Sequence, residues 1–335
     1  METKNEKLKI DFSTVVIVII LIALIVVGGI YYLVTKNKGN ESEVNAIQNN
    51  IEENTTTENE TNSIAVETTK FQLSKEEYPK VDGATSMKPM SVEIAKSVLG
   101  MTKEEADKFI VHNTTAKAYE NLINKKADLI FVSEPSDSIL KDAKNAGVEF
   151  EMVGIGRDGF VFIVNKENKI DSLTIEQIQK IYTGEIKNWS EVGGEDEKII
   201  AYQREPNSGS QNLMEKMVMK NLKLADVPSE FKINGMEGLI DAIASYSNAK
   251  ASIGYSIYLY AKEQYVKDSI KFLSINNVYP TDDTIANGTY PLSKIVYAIY
   301  RKDEPENSNT RKLVKWLLTQ EGQETVTAGG YTCIE

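Results

Sequence analysis

The chain has 335 residues, a formal net charge of −11 at pH 7, one cysteine and one histidine. This acidic balance argues against nucleic acid and acidic membrane surfaces as partners, although local hydrogen bonds can still hold a small anion. The single cysteine and single histidine exclude an intramolecular disulfide and a His/Cys metal cluster, so we expect no metal and no cofactor.

An uncharged apolar segment near the N-terminus predicts a membrane anchor. Residues 15–34 carry no charged side chain, and as a helix they would extend about 30 Å, enough to cross a bilayer. The run is longer than the core of a cleavable signal and lacks a small-residue cleavage site. Three lysines precede it and two follow it closely, which favours a cytoplasmic N-terminus. We therefore predict a single-pass protein of the cell membrane, with residues 1–14 as a cytoplasmic tail and the remainder on the extracellular face.

Residues 35–77 are predicted to form a disordered acidic tether. Asn, Glu and Thr dominate residues 36–69, and large apolar side chains are few. Such a composition cannot bury enough surface to order itself. A structured stalk is the alternative.

From about Tyr78 onward, short apolar runs alternate with amphipathic segments, which indicates an α/β fold with a mainly parallel sheet in each of two lobes. Thr174 and Gln177 have the spacing of a capping box, and Gly184 is placed to end the helix. The predicted strands are 127–132 and 159–165, and the predicted helices are 92–99, 116–124, 174–182 and 309–318.

The segment 202–211 (YQREPNSGSQ) is the strongest candidate for a binding site. It contains Arg204, one of only four arginines in a chain with 34 lysines. The residues that follow have apolar side chains at helical spacing, so Ser208 or Ser210 can cap a helix. Free backbone amides at the helix start, small hydroxyls and a guanidinium would then converge on a tetrahedral oxyanion. The alternative is a capped surface helix beside an incidental arginine.

Two more hydroxyl-rich segments precede predicted helices and could meet the first in one cleft. They contain Thr85 and Ser86 in one case and Thr114 and Thr115 in the other, although simple capping also explains each of them. Glu134 follows a predicted strand, at the end where open α/β sheets bind ligands. A carboxylate repels an anion unless the anion carries a proton, so an acceptor here would select hydrogen phosphate over sulfate. A solvated loop glutamate is the alternative, and Asp82 is a second candidate acceptor.

Eight segments between Thr85 and the C-terminus match one known family. They are 159–165 (GFVFIVN), 178–184 (IQKIYTG), 186–194 (IKNWSEVGG), 203–211 (QREPNSGSQ), 253–256 (IGYS), 288–292 (GTYPL), 321–323 (EGQ) and 330–331 (GY). With these segments, about three quarters of the chain resembles the solute-binding proteins of bacterial phosphate ABC importers, especially the membrane-anchored or lipid-anchored forms of Gram-positive bacteria. The order of Asn-Trp, Val-Gly-Gly, Arg and Ser-Gly-Ser is typical of this family.

The resemblance implies a two-lobed periplasmic-binding-protein-like fold, in which two crossing strands join the lobes. The crossings are expected near residues 161–165 and 253–258, which assigns 78–163 and 259–335 to lobe I and 164–258 to lobe II. By position, the ligand residues of the family correspond to Thr85, Ser86, Thr114 or Thr115, Arg204, Ser208, Gly209 and Ser210. Its proton-accepting aspartate corresponds to Glu134, whose extra methylene leaves the choice between phosphate and another oxyanion open.

The resemblance therefore predicts high-affinity binding of inorganic phosphate outside the cytoplasm and delivery to the permease of an ABC importer in the same membrane. We expect a monomer. A membrane-tethered oxyanion sensor, or a surface-interaction domain on the same scaffold, is the alternative. An enzyme is not expected, because the one histidine has no evident partner and no carboxylates have metal-ligand spacing.

Overall fold

The computed structural model describes residues 70–245, 247 and 249–334. The predicted anchor at 15–34 and the predicted tether from 35 to 69 lie outside the described residues. Within the described part of the chain, no helix combines the length and apolar character needed to cross a membrane.

Residues 70–77, the last part of the predicted tether, belong to the folded unit. The ring of Phe71 stacks on Trp316 with 5.7 Å between centroids, and the amide of Leu73 donates to the carbonyl of Val98 at 3.1 Å. Both side chains pack against a buried apolar core. The predicted boundary at residue 77 is therefore wrong by eight residues, because two apolar side chains are enough to bind this segment to the core.

One sheet of seven strands runs through the described unit. Its strand order is β1-β2-β11-β3-β8-β5, and β9 also pairs with β3. Two short parallel pairs lie outside it, β4 with β10 and β6 with β7. The strands are β1 (Val81–Gly83), β2 (Leu129–Val132), β3 (Phe150–Asn165), β4 (Ser172–Leu173), β5 (Ile200–Ala201), β6 (Gln203–Arg204), β7 (Lys232–Ile233), β8 (Ser252–Ile257), β9 (Ile270–Phe272), β10 (Ser274–Ile275) and β11 (Ser293–Arg301).

The prediction of a mainly parallel sheet is wrong. The pairs β1–β2 and β5–β8 are parallel, but β11 lies antiparallel between β2 and β3, and β3 is antiparallel to β8 and β9. The 16-residue strand β3 extends from one lobe into the other. Because the chain returns along β11 in the opposite direction, the centre of the sheet has to be antiparallel.

Helices cover the sheet, and their ends follow the sequence closely. Thr174 and Gln177 form the predicted capping box, and Gly184 ends that helix at a φ of 81°, a left-handed conformation that glycine adopts without a steric penalty. The helices are α1 (Lys88–Leu99), α2 (Lys103–Phe109), α3 (Thr115–Ile123), α4 (Asp137–Asn145), α5 (Ile175–Thr183), α6 (Gly209–Leu213), α7 (Met236–Ala244), α8 (Asp282–Ala286), α9 (Asn309–Leu317) and α10 (Gln320–Ala328). A wider helical segment, Met214–Met219, continues α6.

Two buried apolar cores define two lobes. The first core gathers residues before position 156 and after position 295, together with Leu259, and the second gathers residues from 160 to 292. Lobe I therefore consists of residues 70–158 and 293–334, and lobe II of residues 159–292. The first crossing, along β3, lies just before the predicted position.

The second predicted crossing, at 253–258, is wrong, because β8 pairs within lobe II and the chain returns to lobe I only at β11. Residues 260–292 were predicted in lobe I but pack in lobe II. There β9 pairs with β3, and Ile285 and Leu292 are buried in the second core.

Candidate functional site

A cavity of about 270 Å³ lies between the two lobes and contains polar groups from both. Eight of the nine residues proposed from the sequence line it, and Glu134 does not. Lobe I contributes Ala84, Thr85, Ser86, Thr114, Thr115 and Ser133, and lobe II contributes Arg204, Glu205, Ser208, Gly209, Ser210, Asn234, Gly235, Met236, Glu237 and Ile257.

Arg204, at the end of β6, is the cationic side chain of the cavity and is 6% exposed. Its Nη2 donates to Glu205 Oε1 at 2.7 Å, and its Nε donates to Glu205 Oε2 at 3.1 Å and to the carbonyl of Ile233 at 3.0 Å. Its Nη1 donates to Ser210 Oγ at 3.1 Å. These contacts use three of the five guanidinium N–H groups. They hold the fork in place and leave one N–H on each terminal nitrogen for a ligand.

A buried network fixes the backbone beneath this arginine. The amide of Arg204 donates to Tyr255 Oη at 3.0 Å and to Gln211 Oε1 at 3.2 Å. The Tyr255 hydroxyl donates to the same Gln211 oxygen, and Gln211 Nε2 donates to Glu215 Oε1 at 2.9 Å. Burial raises the pKa of Tyr255, so its hydroxyl stays protonated and remains a donor. Both residues lie in the matching segments, but their support of the Arg204 backbone was not predicted.

The start of α6 provides the backbone donors of lobe II. Ser208 is the N-cap and accepts from the amide of Gln211 at 3.3 Å, as the sequence predicted. The amides of Gly209 and Ser210 fall in the first turn, where a helix has no internal acceptor for its N–H groups. With the Ser210 hydroxyl beside the guanidinium, these groups form a cluster of hydrogen-bond donors of the kind that suits an anion.

Lobe I contributes hydroxyl groups from two loops. Thr85 Oγ1 donates to the carbonyl of Asn113 at 2.9 Å, which ties the first loop to the second. Thr114 caps α3 by accepting from the amide of Lys117 at 3.3 Å. The neighbouring Thr115 is buried and faces Gly209 across the cleft. Both threonines line the cavity, so the structure does not choose between them as the ligand residue.

Asp82 supports the second loop and does not line the cavity. Its Oδ1 accepts from the amides of Gly83 and Asn113 at 2.7 and 3.0 Å. Its Oδ2 accepts from the side-chain amides of Asn113 and Asn121 at 2.8 and 2.7 Å. With both oxygens occupied, Asp82 positions Thr114 and is not available to accept a proton from a ligand.

Glu134, the expected proton acceptor, lies in a different cavity of about 200 Å³. Its Oε1 accepts from the Tyr297 hydroxyl at 3.1 Å, and its Oε2 lies 3.5 Å from Lys216 Nζ. Ser133, one residue earlier, lines the main cavity. The Glu134 carboxylate instead lies beside Tyr297 and Lys216 in the second cavity, so it does not face the space beside Ser133. The carboxylates that do line the cavity are those of Glu205 and Glu237.

His112 lies behind the first hydroxyl loop. Its Nδ1 is 2.9 Å from the carbonyl of Ala84, which fits an N–H donor, and Gly83 leaves the space that the imidazole fills. Burial lowers the pKa of His112, so the ring is neutral at pH 7. The described residues contain no cluster of metal-ligating side chains.

A family model described as "PBP superfamily domain" matches residues 55–321. The chain is 29% identical over 180 residues to the phosphate-binding protein PstS of Borreliella burgdorferi, a match that covers 53% of this chain and 64% of that protein. It is 26% identical over 258 residues to the phosphate-binding protein PstS of Staphylococcus saprophyticus, with 75% and 78% covered. The chain thus spans slightly less than two thirds of the length of the Borreliella burgdorferi protein.

Solved structures share the fold. A substrate-binding protein from Clostridium perfringens, crystallised with bound phosphate, aligns with a TM-score of 0.57 at 23% identity and covers 76% of this chain and 98% of its own. An ABC-type phosphate transport receptor from Vibrio cholerae aligns with the same TM-score at 22% identity and covers 77% and 100%.

Proposed function

This chain belongs to the PBP superfamily, and on that premise we propose that it binds inorganic phosphate between its lobes and delivers it to an ABC importer. The observation that carries the proposal is the convergence on one cavity of a fixed guanidinium, hydroxyl groups from both lobes and the first-turn amides of α6. The PstS proteins and the phosphate-bound structure from Clostridium perfringens described above support the choice of phosphate.

The donors suit a tetrahedral anion approached from both lobes. The two free N–H groups of Arg204 would give charge-assisted hydrogen bonds to two oxygens of the anion. Ser86, Thr115 and Ser208 would add neutral hydroxyl donors, and the start of α6 would add amides. Thr85, whose hydroxyl donates to Asn113, would hold the first loop in place. The net charge of −11 does not oppose binding, because distant charges are screened within about 8 Å at physiological salt while buried hydrogen bonds are not. A ligand held by both lobes stabilises the closed state, which a transporter can sense.

Selection of phosphate over sulfate requires an acceptor for the phosphate proton, and Glu237 fits this role better than Glu205. Both carboxylate oxygens of Glu205 already accept from Arg204. Glu237 lies near the hydroxyl of Tyr260, whose pKa is raised by burial and by this neighbouring carboxylate. One tyrosine hydroxyl leaves several lone pairs of this carboxylate free. Sulfate has no proton at pH 7, so one of its oxygens would face the lone pairs of this carboxylate and be repelled.

We expect Glu237→Gln to reduce the preference for phosphate over sulfate by about tenfold, the effect of one hydrogen bond to a charged group. Glu134→Gln is the matched control and should leave the preference unchanged, because Glu134 lies outside the cavity. Calorimetric competition between the two anions at pH 7 measures the ratio for each variant. The reverse result, an effect of Glu134→Gln and none of Glu237→Gln, would return the acceptor role to Glu134.

The proposal includes a membrane-tethered monomer. Residues 15–34 would anchor the chain with its N-terminus in the cytoplasm, and residues 35–69 would let the binding unit reach a permease in the same membrane from the extracellular face. The function is binding without chemical turnover, as the names of the relatives, a phosphate-binding protein and a phosphate transport receptor, indicate.

A further inference from the structure

Asn207 connects the ligand loop of lobe II to lobe I. It immediately precedes Ser208, and its Oδ1 accepts hydrogen bonds from Ser136 Oγ and Ser138 Oγ, each at 2.7 Å. Its φ of 64° lies in the left-handed region, which asparagine tolerates better than most residues. This conformation directs the amide towards lobe I. Asn207 itself does not line the phosphate cavity.

The two serines that meet Asn207 are held by the start of a helix. Ser136 is buried and is the N-cap of α4, where its hydroxyl oxygen accepts from the amide of Ile139 at 3.2 Å. Ser138 lies in the first turn of the same helix, with its hydroxyl oxygen 3.1 Å from that of Ser136. Capping fixes Ser136 whether the lobes are open or closed. Both donors are therefore in place before Asn207 arrives.

Two other contacts join the lobes near the cavity. Lys216 Nζ lies 3.5 Å from Glu134 Oε2, with 35% and 48% of the two side chains exposed, and an exposed ion pair of this kind contributes little. Gln264 Nε2 of lobe II donates to the carbonyl of Ser86, a cavity residue of lobe I, at 2.8 Å. Asn207 is the contact next to the loop of lobe II, one residue from Ser208 and three from Arg204.

We infer that Asn207 is a positioning residue that couples closure of the lobes to the placement of the phosphate loop. The inference rests on the proposed phosphate function. Separation of the lobes must break both hydrogen bonds to Asn207 and remove the lobe I support of the backbone next to Ser208. Arg204 keeps its own contacts within lobe II. A contact made only in the closed state increases ligand affinity by increasing the closed population, and its loss appears mainly as faster release.

The test uses Asn207→Gly, Ser138→Ala and the double variant in the full-length protein. Glycine keeps the positive φ and removes the amide, and Ser138→Ala removes one donor while Ser136 still caps α4. We expect each single variant to raise the Kd for phosphate by about threefold to tenfold, the range for one or two neutral hydrogen bonds, mainly through the release rate. In the double variant, the factor by which the Kd increases should be smaller than the product of the factors for the two single variants, because both changes remove the same contact. Lys216→Ala is the control and should change the Kd by less than about twofold.

Small-angle scattering and thermal unfolding of the same proteins complete the test. Phosphate should compact the parent more than the two single variants, while the unfolding midpoints stay similar. If Asn207→Gly weakens binding and Ser138→Ala does not, Asn207 acts only on the loop conformation and the coupling is wrong. Ser138 is exposed, so we expect Ser138→Ala to fold even if Asn207→Gly does not. An unchanged Kd for Ser138→Ala would then still overturn the inference. If the folded parent does not bind phosphate, the proposed function fails and the inference fails with it.

Discussion

Replacement of Arg204 by alanine is expected to weaken phosphate binding by about 2–4 kcal/mol, the scale for the loss of one partner in a buried charged contact. This corresponds to an increase in Kd of roughly 30-fold to 1,000-fold. The side chain is buried, and its fork is held by Glu205, Ile233 and Ser210. Its removal takes away the cation of the cavity and also leaves Glu205 without its partner beside an anion.

Two further variants make the expectation for Arg204 specific. Arg204→Lys keeps the positive charge but loses the planar fork, so we expect an affinity between those of the parent and the alanine variant. Arg157→Ala removes an arginine that does not line the cavity and should not change binding. Calorimetry with thermal unfolding as a check on folding measures all three. Parent-like affinity in folded Arg204→Ala would place the phosphate site elsewhere.

The second large effect is expected at Gly209, a residue of the cavity where lobe II lies close to lobe I. A Cβ on this residue would lie 2.6 Å from Thr115 Oγ1, which belongs to the other lobe. In Gly209→Ala, either the lobes stay apart or Thr115 turns its hydroxyl away from the cavity. We expect phosphate binding to weaken by about 1–3 kcal/mol, the usual cost of overpacking. The unfolding midpoint should barely change, because alanine is a good helix former and neither core is altered.

The partner residue supplies a matched control for this steric effect. Thr115→Ala removes the oxygen that the new methyl group would meet. We expect the double variant to bind at least as tightly as Gly209→Ala alone, although it lacks a hydroxyl. Titration of the two single variants and the double variant measures this coupling. Independent losses at the two sites, or parent-like binding by Gly209→Ala, would contradict close contact between the lobes at this point.

Much of the site could be predicted because its determinants are local in the sequence. Ser208 and Thr114 cap helices in the structure, and a cap depends only on the few residues around it. Arg204 lies four residues before Ser208, the N-cap of α6, so the arginine and the cap appear in one short segment. Convergence of the three hydroxyl segments was predicted from the positions of helix starts and from the resemblance, and the lining of the cavity agrees.

The failures concern long-range pairing and side-chain direction. The position of β11 between β2 and β3 joins segments more than a hundred residues apart, and alternation of strands and helices does not determine that order. The apolar residues of 260–292 could serve either lobe until β9 pairs with β3. Glu134 was misplaced because its direction depends on partners distant in the sequence, Tyr297 and Lys216, which the local pattern does not reveal.

Binding of phosphate is tested most directly by calorimetric titration of the full-length protein, freed of bound ligand by partial unfolding and refolding. Phosphate is added first and sulfate second, at pH 7. We predict one phosphate site per chain, with micromolar or tighter affinity, and no heat from sulfate. A folded sample that gives no heat with phosphate would contradict the proposed function.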